Sequence, residues 1–94
     1  MIAAADRAAG FLKLLSGRSR MLLLCHLWEG EKSVGELARL TEARDTAVSQ
    51  QLALLRAQGI VVARRSGQTI FYSLASAEAV RTLELLHAMF CSPA

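Results

Sequence analysis

The feature that most constrains this chain is the succession of segments between Ser33 and Leu74. Ser33-Val34-Gly35-Glu36 sets a serine three residues ahead of a glutamate. That is the capping-box pattern, in which two orphan amides at a helix start are satisfied reciprocally. A short helix from Val34 to about Thr41 is predicted after it, with Val34, Leu37 and Ala38 facing inward. Glu42-Ala43-Arg44 makes a tight connection to a longer helix, Asp45 to about Gln58, which Gly59 stops. Val48, Leu52 and Leu55 stand at i, i+4 and i+7 and form its buried stripe. The other side carries Thr46, Ser49, Gln50 and Ala53, short and nearly uncharged. An ordinary solvated helix face would more often carry Glu and Lys pairs. A hairpin follows. Ile60 to Ala63 is β-prone, Ser66-Gly67 turns the chain, and Gln68 to Leu74 alternates, with Arg64 and Arg65 expected at the tip.

Helices are predicted on both flanks. One runs from Ile2 to Leu15 and breaks at Ser16-Gly17. The next runs from about Ser19, read as its cap, to Glu29, with Gly30 ending it. It is apolar around most of its circumference, the mark of a central helix. Ser76 caps a last helix that reaches about Cys91, before Ser92-Pro93. Composition matters at this point. With 94 residues, 53% apolar and 5% aromatic, the chain has more aliphatic surface than so short a domain hides easily. The excess lies at the two ends, which favours a subunit interface over a merely Ala- and Leu-rich core. Phe11, Leu12, Leu15, Val80, Leu83 and Phe90 are its expected residues. The expected architecture is mainly α with a small β-hairpin: five helices and a two-stranded wing, a winged helix-turn-helix. Residues 1–94 are expected to form one domain, and the molecule to be a homodimer.

Two helices joined by a three- or four-residue turn are a helix-turn-helix. The second helix then offers Asp45, Thr46, Ser49, Gln50 and Gln51 to the major groove of double-stranded DNA, where Gln and Ser hydrogen-bond base edges. The wing adds Arg64, Arg65 and Gln68 for phosphates or the minor groove. The net charge of +3 permits this without requiring it. A winged-helix module that binds only proteins is the alternative, and an exposed apolar patch at the same positions would have favoured it. An enzyme is not expected, because the chain lacks a Gly-rich phosphate loop and paired carboxylates in a plausible cleft. No segment reaches transmembrane length; the longest apolar run is Met21 to Cys25. The N-terminus, interrupted by Asp6-Arg7, does not read as a secretory signal. A cytoplasmic protein without membrane contact is expected, its two cysteines reduced at rest.

From Arg20 to Cys91 the chain resembles the ArsR/SmtB-type bacterial repressors. The resemblance is carried by Ser33-Val34-Gly35-Glu36-Leu37-Ala38 and by Ala47-Val48-Ser49-Gln50-Gln51-Leu52-Ala53-Leu54-Leu55-Arg56. Gly59-Ile60-Val61 and Arg64-Arg65-Ser66-Gly67-Gln68-Thr69-Ile70-Phe71-Tyr72-Ser73-Leu74 complete it. It implies a homodimer joined through the first and last helices, and operator DNA released when an inducer binds. The chain departs from the family at Gln51, where many relatives carry His, and at Arg44, a poor N-cap residue.

Most of this family senses metals, through a Cys-x-Cys pair on the third helix or through Asp, His, His and Glu on the last. Val34 to Arg39 holds no cysteine, and only Glu78 and His87 resemble the second set. A tight site needs three or four ligands, so no metal or other cofactor is expected. Cys25 and Cys91 remain. Their placement resembles the sulfide- and redox-responsive BigR/SqrR-like and HlyU-like subgroup. There, reactive sulfur species, persulfides or polysulfides, link two such cysteines by a disulfide or polysulfide bridge, and DNA is released. The alternative for Cys25 is a small core residue, with Cys91 incidental. The rival chemistry is a metal site of Cys25, His87 and Cys91. His26 is expected to be structural, and His87 a partly exposed interface residue or a stabiliser of a thiolate.

Overall fold

The computed structural model describes residues 1–91. Its elements are α1 (Ile2–Leu15), α2 (Arg18–Glu29), β1 (Lys32–Ser33), α3 (Val34–Thr41), α4 (Asp45–Ala57), β2 (Val61–Ser66), β3 (Thr69–Leu74) and α5 (Ala77–Phe90). Ser92-Pro93, expected to end the last helix, lies outside the described residues.

The core forms around α2. Leu23, Leu24 and Leu27 of that helix are buried with Leu37 and Ala38 of α3 and with Val48, Leu52 and Leu55 of α4. Ile60, Val61, Ala79 and Leu83 close it from the hairpin and α5. Each fully buried leucine contributes about 2 kcal/mol through the apolar surface it removes from water. The i, i+4, i+7 stripe of α4 is therefore what seats that helix, and its opposite side is left to solvent.

Local chemistry sets the element ends. At α3 the capping box is formed in full: Ser33 Oγ accepts from the Glu36 amide at 3.2 Å, and Glu36 Oε1 accepts from the Ser33 amide at 3.0 Å. The helix ends with Glu42 in the left-handed region (φ 54°) and the Ala43 amide bonded to Ala38 O at 3.0 Å. This Schellman-type end makes the tight connection compact. Gly59 does the same for α4 at φ 75°, a conformation glycine adopts without steric penalty. The C-terminus of α1 is capped from outside, by Arg20 Nη1 donating to Leu14 O at 3.0 Å.

Several expectations are corrected. The N-cap of α2 is Gly17, and Ser19 lies within the first turn, so Ser19 has no capping role. The sheet has three strands in the order β1-β3-β2, not two. Lys32 and Ser33 pair with Tyr72 and Phe71, a two-residue strand too short to leave a period-two signal. The first hairpin strand is longer than expected and the second a residue shorter: β2 continues through Ser66, which pairs with Thr69, the first residue of β3. Gly67 and Gln68 are thus the turn, with Gly67 supplying the positive φ of 63°. Arg64 and Arg65 lie within the strand, opposite Phe71 and Ile70, and not at the tip.

Candidate functional site

The polar side of α4 is solvent-exposed as expected. Thr46, Ser49, Gln50 and Ala53 are all exposed, while Val48, Leu52 and Leu55 are buried beneath them. Asp45 opens the helix, is exposed and suits the positive end of the helix dipole. Gln51 differs. It is half-buried and lies on the flank toward α2, in a cleft shared with Arg18, Ser19, Leu22 and Thr41. A helix turns about 100° per residue, so Gln51, three residues after Val48 and four before Leu55, falls beside the buried stripe and about 100° away from Gln50.

The wing's residues divide. Gln68 is exposed in the turn, and Arg65 is exposed with its Nε donating to Gly67 O at 3.0 Å. Arg64 is engaged within the chain. Its Nε donates to Glu31 Oε2 at 3.2 Å and its Nη2 to Glu31 Oε1, while its guanidinium sits 5.1 Å from the Phe71 ring centre. The paired guanidinium holds the Glu31 carboxyl below the usual carboxylate range. Sequence reasoning missed Glu31, because nothing in a pattern signals an ion pair between residues so far apart in the chain.

Cys25 lies within α2, one turn before its last residue Glu29, and Cys91 follows the last residue of α5. Cys25 is half-buried and packs against the core; Cys91 is exposed at the C-cap of α5; both are free thiols. The two helix ends meet where the Trp28 and His87 rings stand 4.6 Å apart at 39°. Burial pushes the Cys25 thiol above its ordinary value, and the charges of Cys91 and then Glu29 add to the rise. Among the described residues, no group of three or more His, Cys, Asp or Glu is placed to hold a metal ion. His26 is engaged within the chain: its Nδ1 lies 3.1 Å from Glu29 Oε1, and Lys32 Nζ donates to its carbonyl at 2.9 Å.

Of the expected interface residues, Leu15 and Leu83 are only 2% exposed and belong to the chain's own core. Each points inward from its helix because the core lies on that side. Phe11 and Val80 are half-buried, and Leu12 and Phe90 are exposed at 56% and 77%. Leu85 and Met89, at i and i+4 on α5, are exposed with them and were not singled out. Among the described residues no helix is long and apolar enough to cross a membrane.

Comparison with known proteins accords with this geometry. Residues 17–62 match the family described as "Bacterial regulatory protein, arsR family". The biofilm growth-associated repressor of Agrobacterium fabrum is 46% identical over 89 residues, 95% of this chain and 76% of that protein. Reduced HlyU from Vibrio cholerae superposes with a TM-score of 0.92 at 41% identity, over 97% of this chain and 96% of that one. The transcriptional repressor BigR from Xylella fastidiosa superposes at 0.88 with 42% identity, over 99% and 95%. On this evidence the chain belongs to the arsR family of bacterial regulatory proteins, DNA-binding transcription regulators of winged helix-turn-helix fold, not enzymes.

Proposed function

We propose that the protein is a homodimeric repressor that holds its operator when reduced and releases it when Cys25 and Cys91 are linked within one subunit. Thr46, Ser49 and Gln50 read base edges, with Asp45 and Gln51 flanking them; Arg65 and Gln68 follow the backbone from the wing. The observation that carries the thiol reading is the pair itself. Two free cysteines stand on α2 and α5, helices whose C-terminal turns meet at the Trp28–His87 contact. Two of the similar proteins are described as repressors, and another was solved in a form described as reduced.

The chemistry follows from exposure. Exposed Cys91 attacks first: its thiolate displaces hydrosulfide from a hydrogen polysulfide such as HS–S–SH and keeps the remaining sulfurs. The Cys25 thiolate then attacks the sulfur bound to Cys91 Sγ and expels a second hydrosulfide. The two thiols are oxidised together, HS–S–SH is reduced, and a trisulfide joins the helices. With HS–SH, attack at Sγ itself leaves a disulfide. The bridge ties α5 to the central helix α2. A dimer reads half-sites about 34 Å apart, so a shift of a few ångströms between subunits loses one of them.

The test is a gel-shift series with Cys25→Ser and Cys91→Ser, paired with mass spectrometry after treatment with a polysulfide donor. Both variants should bind DNA, and neither should release it. A single-cysteine variant released as readily as wild type overturns the bridging mechanism. One tightly held zinc per reduced subunit would favour the metal-site rival instead.

A further inference from the structure

We infer that Glu31 and Arg64 form a strap that sets the tilt of the wing against the recognition helix. Glu31 is thereby a positioning residue for DNA recognition, although its charge has the wrong sign for contact with DNA. The inference rests on the DNA-binding reading and is independent of the thiol reading.

The geometry is that of a tie across a sheet. Strand order is β1-β3-β2, so β1 and β2 are the two edges. Glu31 immediately precedes β1, and Arg64 lies on β2. Their side chains pair across β3, where Phe71 is the cross-strand partner of Arg64 on one side and of Ser33 on the other. The guanidinium lies over the Phe71 ring while both of its engaged nitrogens donate to the Glu31 carboxylate. A forked, stacked arginine has a fixed orientation that a point charge lacks.

The strap matters because β1 has two residues and little backbone pairing of its own. Ser33 also serves as the N-cap of α3. Whatever fixes β1 against β2 therefore fixes the hairpin against α3. The tight Glu42–Arg44 connection carries that orientation on to α4. Arg64 is consumed in this role, which leaves Arg65, in the same strand and nearer the turn, as the wing's phosphate contact.

The experiment measures binding of the reduced protein to a duplex selected from a random-sequence pool, by fluorescence anisotropy across a salt series. Removing a negative charge should, on electrostatics alone, tighten DNA binding. The strap requires the opposite: Glu31→Gln should weaken binding roughly three- to tenfold. Arg64→Met should weaken it similarly, and the double variant should be no weaker than either single. Arg64→Lys, which keeps the charge but loses the fork, should behave like Arg64→Met. The slope of log K against log salt should hold in Arg64→Met and become shallower by about 0.9 per lost contact in Arg65→Ala. Both strap residues are exposed, and unchanged urea midpoints would show that the variants fold. The inference is overturned if Glu31→Gln binds as tightly as wild type or tighter. It is also overturned if Arg64→Lys retains wild-type affinity, or if Arg64→Met flattens the slope as much as Arg65→Ala. A wild-type protein that binds no duplex would overturn the DNA-binding reading itself.

Discussion

Cys25 shows how one side chain's surroundings set its chemistry. It packs against the core, and the charged form of a thiol is disfavoured where water is excluded. Cys91 and Glu29 both oppose a second negative charge there. At neutral pH Cys25 is therefore more fully protonated than an ordinary cysteine, and its thiolate fraction grows only as pH rises past the usual thiol range. Alkylation of Cys25, followed by peptide mass spectrometry across a pH series, should show a midpoint displaced to higher pH. Cys91→Ser removes one of the opposing charges, so the midpoint should move back toward the ordinary value without reaching it, because burial remains. A midpoint that does not move would mean that the two groups are too far apart to feel each other, which would weaken the bridging reading as well.

At the scale of elements, Ser33 does two jobs that sequence patterning keeps separate. Its hydroxyl caps α3, and its backbone belongs to β1 opposite Phe71. Ser33→Ala leaves the Glu36 amide without its acceptor, which costs about 1 kcal/mol for a typical N-cap. In urea the midpoint should fall while the slope stays constant, because the surface exposed on unfolding does not change. DNA affinity should fall too, since α3 is the first helix of the helix-turn-helix. An unchanged midpoint would show that the cap adds nothing to α3. The α4 N-cap offers no such handle: Arg44 makes no side-chain cap bond, and α4 is held by Val48, Leu52 and Leu55 instead.

The whole molecule is flat, 46 × 36 × 20 Å, with a radius of gyration of 13.7 Å. A compact chain of this length would have about 12 Å. The excess comes from α1, whose residues Ile2 to Gly10 are all exposed, and from the outer face of α5. An open groove between them is lined by Phe11, Leu14 and Leu85, with Asp6, Arg7, Glu78 and Arg81 at its margins. Mixed charges around an apolar strip suit a second copy related by a two-fold axis. Leu85→Glu combined with Phe90→Glu should yield a monomer in analytical ultracentrifugation and lose tight operator binding. Both side chains are exposed in the single chain, at 59% and 77%, so its own core should be untouched. A double variant that sediments as wild type does would place the interface elsewhere.

Local chemistry was enough to read most of the architecture. Helix starts and stops follow from the capping box at Ser33, from Gly59, from Ser76 and from the stripe on α4, each of which acts within a few residues of itself. The outward face of α4 was legible for the same reason, since helical periodicity assigns Thr46, Ser49 and Gln50 to the side away from Leu52. What the sequence could not determine is whatever depends on residues distant in the chain. The third strand exists only because Lys32 and Ser33 meet Tyr72 and Phe71. Arg64 pairs with Glu31 only because the fold brings Glu31 across β3 to meet it. Leu15 and Leu83 look like interface residues on their own helices, yet the packing of α2 against α1 and α5 buries them. Apolar periodicity says that a face will be covered; only the tertiary arrangement decides whether the cover is the chain itself or its neighbour.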